Sequence, residues 1–179
     1  MDLKKLKIID TAAIFILMSL FHFAYNLLPN TLFAIFFPVN ESIFEHLKLI
    51  FSTYIIYGII DYLLLKKFKL PKNNIFLNIL ISALSCITIF LLLWLPVYYK
   101  IGERMLITLT LLLIAIMVSQ VISYYLLKLP NNKLLNYISI GVIIVIIIVF
   151  AYFTYYPLYN DFFFDPMAEK YGINVYLIK

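Results

Sequence analysis

The sequence predicts an all-α protein, an integral membrane bundle of five transmembrane helices with an interfacial C-terminal tail. Three observations carry that expectation. Of its 179 residues 65% are hydrophobic and only 13% charged, with a mean hydropathy of +1.02, which leaves too little polar surface for a water-soluble domain. Five apolar runs are each long enough to supply the roughly 20 helical residues that cross a hydrocarbon layer about 30 Å thick. The lysines cluster in alternate connections between those runs. Together these predict one five-helix domain over residues 1–156 and a tail over 157–179.

Lys4, Lys5 and Lys7 lead into the first span, 8–28, whose far end carries His22, Tyr25 and Asn26. The run is longer than the apolar region of a secretion signal and no small-residue cleavage pattern follows, so it reads as a retained helix. Residues 29–39 are uncharged and too short to cross, which suits an outer loop, or a short interfacial or re-entrant piece around 32–37. The second span, 41–65, closes on Lys66, Lys67, Lys69 and Lys72. The third, 75–97, ends near Trp94, Tyr98 and Tyr99, the aromatics of an interfacial belt. The fourth and fifth occupy 105–127 and 134–156.

With the N-terminus in the cytoplasm, the inner segments carry nine lysines, ending with Lys128 and Lys133. The outer ones carry only Lys100, Arg104, Lys170 and Lys179. That bias places a multi-pass protein in the cell membrane with its C-terminus extracytoplasmic. In the tail, aromatic residues alternate with Asp161, Asp165 and Glu169. That mixture suits an interface in which rings sit at headgroup depth and carboxylates stay in water.

The net charge of +5 resides in connections between spans, where topology accounts for it. Nucleic acid is therefore excluded as a partner, and membrane lipids are the expected one. A single cysteine, Cys86, excludes an intramolecular disulfide and a cysteine metal cluster. Asp10 and Asp61, flanked by lysines near the inner interface, are expected to form solvated ion pairs.

Chemistry concentrates in Asn40-Glu41-Ser42-Ile43-Phe44-Glu45-His46-Leu47-Lys48, which sets ionisable groups where a span enters lipid. Such groups are costly in a bilayer and usually pair, face a cavity and mark a site. At helical spacing Glu41, Glu45, Lys48 and Ser52 share one stripe, with Ser42, His46 and Thr53 on the next. Helix rise puts His46 about 8 Å beyond Glu41 and His22 about 9 Å from the outer end of the first span, so the two histidines occupy one layer.

Three readings follow. In the first, Glu45 and Lys48 form an intrahelical ion pair and Ser42-x-x-Glu45 a capping box. In the second, His22, His46 and Glu45 hold a divalent metal such as zinc, or a glutamate activates water without metal. Glu41, Glu45, His46, Lys48 and His22 then form a hydrolase-like catalytic set that activates water against a lipid or membrane-embedded substrate, contacted by Asn40, Ser42, Tyr25 and Asn26. In the third, the cavity binds an ion, a proton or a lipid headgroup without catalysis.

Two known patterns fail to match. His22 and Asn26 have the His-x-x-x-Asn spacing of glutamate-dependent intramembrane proteases, whose adjacent glutamate pair is missing. The seven-span zinc hydrolases that include ceramidases use three histidines, and this chain has two. The combination of Phe21-His22-Phe23-Ala24-Tyr25, the stretch from Pro38 to Lys48, Phe164-Asp165-Pro166 and Tyr171-Gly172-Ile173 resembles a family of small prokaryotic polytopic membrane proteins of unknown function. That resemblance implies a common architecture and a shared site at these positions, and supplies no activity.

Overall fold

Helix boundaries in this chain are set by local chemistry that is mostly visible in the residues. Gly102 adopts φ 73°, and its N–H bonds the Tyr98 carbonyl at 2.9 Å, closing one long helix in the left-handed turn that glycine takes without strain. Ser42 begins another, its Oγ accepting from the Glu45 N–H at 3.3 Å. Asn30 and Asn132 do the same for Phe33 and Leu135. The computed structural model describes residues 1–173 and the backbone of 175–176, so 174 and 177–179 of the expected tail, Lys179 included, lie outside the described residues.

Among the described residues there are seven helices: α1 (Leu3–Phe21), α2 (Ala24–Leu27), α3 (Thr31–Phe36), α4 (Ile43–Lys67), α5 (Ile75–Ile101), α6 (Met105–Leu126) and α7 (Lys133–Tyr155). A small antiparallel sheet follows, β1 (Phe164–Asp165), β2 (Lys170–Tyr171) and β3 (Val175–Tyr176), with Phe164 opposite Tyr171 and Lys170 opposite Tyr176. Four helices, α4 to α7, are long and apolar enough to cross a membrane.

The expected first span, 8–28, is not among them. Its helix, α1, begins at Leu3, stops at Phe21 and carries Lys4, Lys5, Lys7 and Asp10 in its first turns. No glycine or proline marks the stop. The chain turns at His22 and Phe23, where the Phe23 N–H bonds the Leu20 carbonyl in a tighter 3₁₀ pattern, and continues as α2 and α3. The uncharged 29–39 segment thus contains a short helix of its own.

The chain divides into two compact units. One unit is Met1–Ile16 with Tyr54–Ile140, the other Leu17–Thr53 with Gly141–Lys179, and the boundaries fall inside α1, α4 and α7. In the first unit Leu3, Leu6, Leu65 and Leu127 form a buried cluster. Gly58 lets α4 approach α5 closely, since a Cβ there would stand 2.4 Å from the Ile79 side chain. Tyr54 hydrogen-bonds Ser119 across α4 and α6, and the Trp94 indole N–H donates to Thr108 Oγ1 at 3.0 Å across α5 and α6. In the second unit Phe44 packs against Phe150, Phe153, Phe162 and Phe163, with ring centroids 4.5–6.3 Å away.

Asparagines tie the first unit's loops together. Asn74 sits in the left-handed region (φ 53°, ψ 41°), donates to the Pro130 carbonyl at 2.9 Å and accepts from the Asn132 N–H at 2.6 Å and from Asn136 Nδ2 at 3.3 Å. Asn136 Oδ1 in turn accepts from the Phe76 and Leu77 N–H groups, free donors of the first turn of α5. Asn74→Ala should therefore lower stability by about 2–3 kcal/mol, since it removes buried hydrogen bonds and places a Cβ residue at positive φ without asparagine's local compensation. Asn74→Gly relieves only the backbone component and should recover part of that loss in a detergent melting experiment.

Candidate functional site

The lead-in to α4 decides the site. Residues 37–42 are not helical, and a capped helix begins only at Ile43. Asn40 is buried, donates to the Gly172 carbonyl at 2.9 Å and accepts the Ser42 N–H at 2.9 Å, so both ends of its amide are consumed in holding this turn. The Glu41 N–H donates to Asp165 Oδ2 at 3.1 Å, while Oδ1 of the same carboxylate accepts from the Met167 and Ala168 N–H groups. The Phe44 N–H, an orphan donor of the first turn of α4, is taken by the Phe162 carbonyl at 3.0 Å.

Glu45 and Lys48 meet directly, Oε2 to Nζ at 2.5 Å, with side chains 1% and 0% exposed. The glutamate also accepts from the Val39 N–H at 3.0 Å and the Thr154 hydroxyl at 2.8 Å. The ammonium donates to the Ala34 carbonyl and to Thr154 Oγ1, both at 2.8 Å. Ala34 lies in the last turn of α3, where free carbonyls favour a cation. Of the capping box only the Ser42 half forms, because the Glu45 carboxylate is turned to Val39 and Lys48 instead of back to the Ser42 N–H.

Glu41 leaves the stripe it was expected to share with Glu45 and Lys48. Helical spacing does not apply to a residue that precedes the helix, and its carboxylate swings to the two histidines. Its Oε2 lies 3.3 Å from His22 Nε2 and 3.5 Å from His46 Nε2, and the two nitrogens are 3.2 Å apart. The three side chains are between a quarter and about a third exposed. His46 Nδ1 is 2.9 Å from the Ser42 carbonyl, which can only accept. Nδ1 therefore carries a proton, and in the neutral ring the Nε2 lone pair faces the triad. His22 Nδ1 is buried without a hydrogen-bond partner.

The His22 hydrogen bond, with the nearby imidazole charges, holds the Glu41 carboxyl below the usual glutamate range against the opposing effect of burial. A value lowered on folding means that Glu41 stabilises the fold above its ordinary pKa, and that this contribution is lost as pH falls through the lowered one.

Of the expected metal set, His22 and His46 come together and Glu45 does not. Its place is taken by Glu41, because the Glu45 carboxylate is turned away to Val39, Lys48 and Thr154. Lys48, buried at the α3 terminus, is likewise committed away from the histidines. Ser42 is a buried helix cap, Tyr25 is half-buried on α2 and Asn26 is exposed there. Three contributors escaped sequence reasoning: Thr154, the Ala34 carbonyl and Asp165. Asp165 was expected in water and is 2% exposed. The signals for it were its place in the Phe164-Asp165-Pro166 stretch of the family resemblance and its position directly after three phenylalanines that have to pack somewhere.

Gly172 carries the tail back onto this turn. It adopts φ 55°, and a Cβ there would lie 2.6 Å from the Thr154 carbonyl. Gly172→Ala should thus destabilise the fold, and Asp165→Asn should cost about 1–3 kcal/mol by replacing a charge-assisted acceptor of three N–H groups with an amide. Melting of both variants in detergent, alongside the wild type, measures the dependence of the turn on the tail.

The segments that meet in this unit are the ones on which the family resemblance rests: Phe21 to Tyr25, Pro38 to Lys48, Phe164 to Pro166 and Tyr171 to Ile173. No curated protein and no solved structure matches the chain. A family profile does, over residues 1–173, and the chain accordingly belongs to DUF6512, a family of unknown function.

Proposed function

We propose that this is a membrane protein with five spans, α1 joining the four more apolar helices, whose His22, Glu41 and His46 bind one divalent metal ion of the zinc class. The observation that carries the reading is the mutual spacing of the three ligand atoms, 3.2, 3.3 and 3.5 Å. A tetrahedral ion with bonds of about 2.0–2.1 Å sets its ligands about 3.3 Å apart, and two histidines with one glutamate is a ligand set that zinc uses with a fourth position left to water. The Nδ1–H of His46 on the Ser42 carbonyl supports it, since an outer hydrogen bond of that kind fixes the ligating tautomer.

An open fourth position on a partly exposed ion favours hydrolytic chemistry over a purely structural role. Zinc lowers the pKa of bound water to about 7 and so generates a nucleophile without a strong neighbouring base. That matters here, because Glu45, which the sequence placed in the metal and catalytic set, is locked in its pair with Lys48. The substrate class we propose is a lipid or membrane-embedded ester or amide. Such a substrate reaches a site at the end of a span from the bilayer surface.

Elemental analysis of protein purified in detergent tests the metal. About one equivalent of a zinc-class ion per chain is expected, lost in His22→Ala and His46→Ala and weakened in Glu41→Gln. Glu45→Gln should keep the metal while lowering the melting temperature. Equal metal content in the wild type and the histidine variants would instead leave the triad as a hydrogen-bonded cluster. For the topology, single cysteines at Lys5 and Tyr159 should label from opposite faces of sealed vesicles, the first from the cytoplasmic side. Labelling of both from one face would remove the odd number of spans.

A further inference from the structure

Asp10 and Asp61 were expected to make solvated ion pairs and do not. Asp10 is 0% exposed, and Lys7 and Asp61 are each 5% exposed. Lys7 Nζ lies 2.6 Å from Asp61 Oδ2 and 2.8 Å from Asp10 Oδ2, and the Tyr57 hydroxyl donates to Asp10 Oδ1 at 2.6 Å. All four residues belong to the first unit, Lys7 and Asp10 on α1 and Tyr57 and Asp61 on α4. The cluster holds one ammonium against two carboxylates. Taking an unbalanced charge out of water costs several kcal/mol after relaxation, so the bare charge state is not what a folded interior tolerates.

Two atoms identify what is missing. Asp61 Oδ1 and Asp10 Oδ2 are buried without a hydrogen bond. The second is close to Lys7 but receives no aligned N–H from it. Buried carboxylate oxygens normally have partners, so Asp61 Oδ1, with neither a hydrogen bond nor an ion pair, and Asp10 Oδ2, with only the unaligned ammonium beside it, point to a further donor. A metal cation is a poor candidate, because the ammonium already stands between the carboxylates and would repel it at contact distance. A proton needs no room and supplies both the missing charge and the missing donor.

We infer that Asp10 and Asp61 hold one exchangeable proton between them, as a carboxylic acid beside a carboxylate, and that the Lys7–Asp10–Tyr57–Asp61 cluster is a proton-binding site. Two carboxylates in one desolvated pocket do not both ionise, which is the behaviour of paired acids in general. A cavity of about 490 Å³ in the same unit, lined by Lys4, Lys7, Thr11, Gln120, Tyr124 and Tyr125 among others, adjoins the cluster at Lys7. Lys7 belongs to both the cavity wall and the cluster, and Lys4, Tyr124 and Tyr125 are the other titratable groups facing that cavity. The site is independent of the metal triad, with which it shares no residue.

Infrared spectroscopy of the full-length protein in lipid nanodiscs reads the proton directly. The wild type at neutral pH should show the C=O stretch of a protonated carboxylic acid, sensitive to deuterium exchange and lost on alkaline titration. Asp61→Asn should abolish that band, because the remaining carboxylate is balanced by Lys7, and its melting temperature at neutral pH should equal or exceed that of the wild type. Asp10→Asn should abolish the band as well. Absence of the band in the wild type overturns the proposal without recourse to any variant. So does its persistence in both substitutions, or a melting temperature of Asp61→Asn that falls as an ordinary lost ion pair would make it fall.

Discussion

The buried pair of Glu45 and Lys48 is the interaction on which the second unit depends. Two charges removed from water attract strongly, but the gain compensates for their lost hydration only if the remaining lone pairs and protons are met. Here they are met by groups from three other places: the Val39 N–H, the Ala34 carbonyl at the end of α3 and the Thr154 hydroxyl on α7. Each partner is thereby fixed in position. Losing one member of such a pair typically costs about 3–5 kcal/mol, because the other stays buried and uncompensated.

That requirement shapes the histidine triad without touching it. For Val39 to reach Glu45, the chain before α4 has to bend back instead of extending the helix. The bend frees the Glu41 carboxylate to meet His22 and His46, while Asn40, Asp165 and Gly172 consume the polar backbone groups that the bend exposes. Asp165 and Gly172 come from more than 120 residues downstream in the chain. The turn beside the triad is therefore set by tertiary contacts and not by local sequence alone.

The three ionic clusters differ in how completely they are satisfied, and that difference separates architecture from chemistry. Glu45 and Lys48 are balanced in charge and fully bonded. The triad is partly exposed and brings three atoms able to ligate a metal close together. The Lys7 cluster is buried and leaves Asp61 Oδ1 without a hydrogen bond. Buried polar groups that lack partners are unusual in folded proteins, so an incomplete cluster points to something bound, and a complete one to structural work.

By itself the sequence determined the helices and the neighbourhood of the site. Apolar runs long enough to cross a membrane place α4 to α7 within a few residues of their observed bounds, since a continuous apolar run bounded by polar turns reads as helix whatever the neighbours are. Matched depth brought His22 and His46 into one layer, because helix rise is a local quantity. Tertiary structure alone decided the stop of α1 at Phe21, the exchange of Glu45 for Glu41 beside the histidines, the burial of Asp165 and that of Asp10 and Asp61. Each depends on which distant group meets a charge. Periodicity reports the face on which a side chain lies, whereas the fate of a desolvated charge is settled by partners that the fold delivers from elsewhere in the chain.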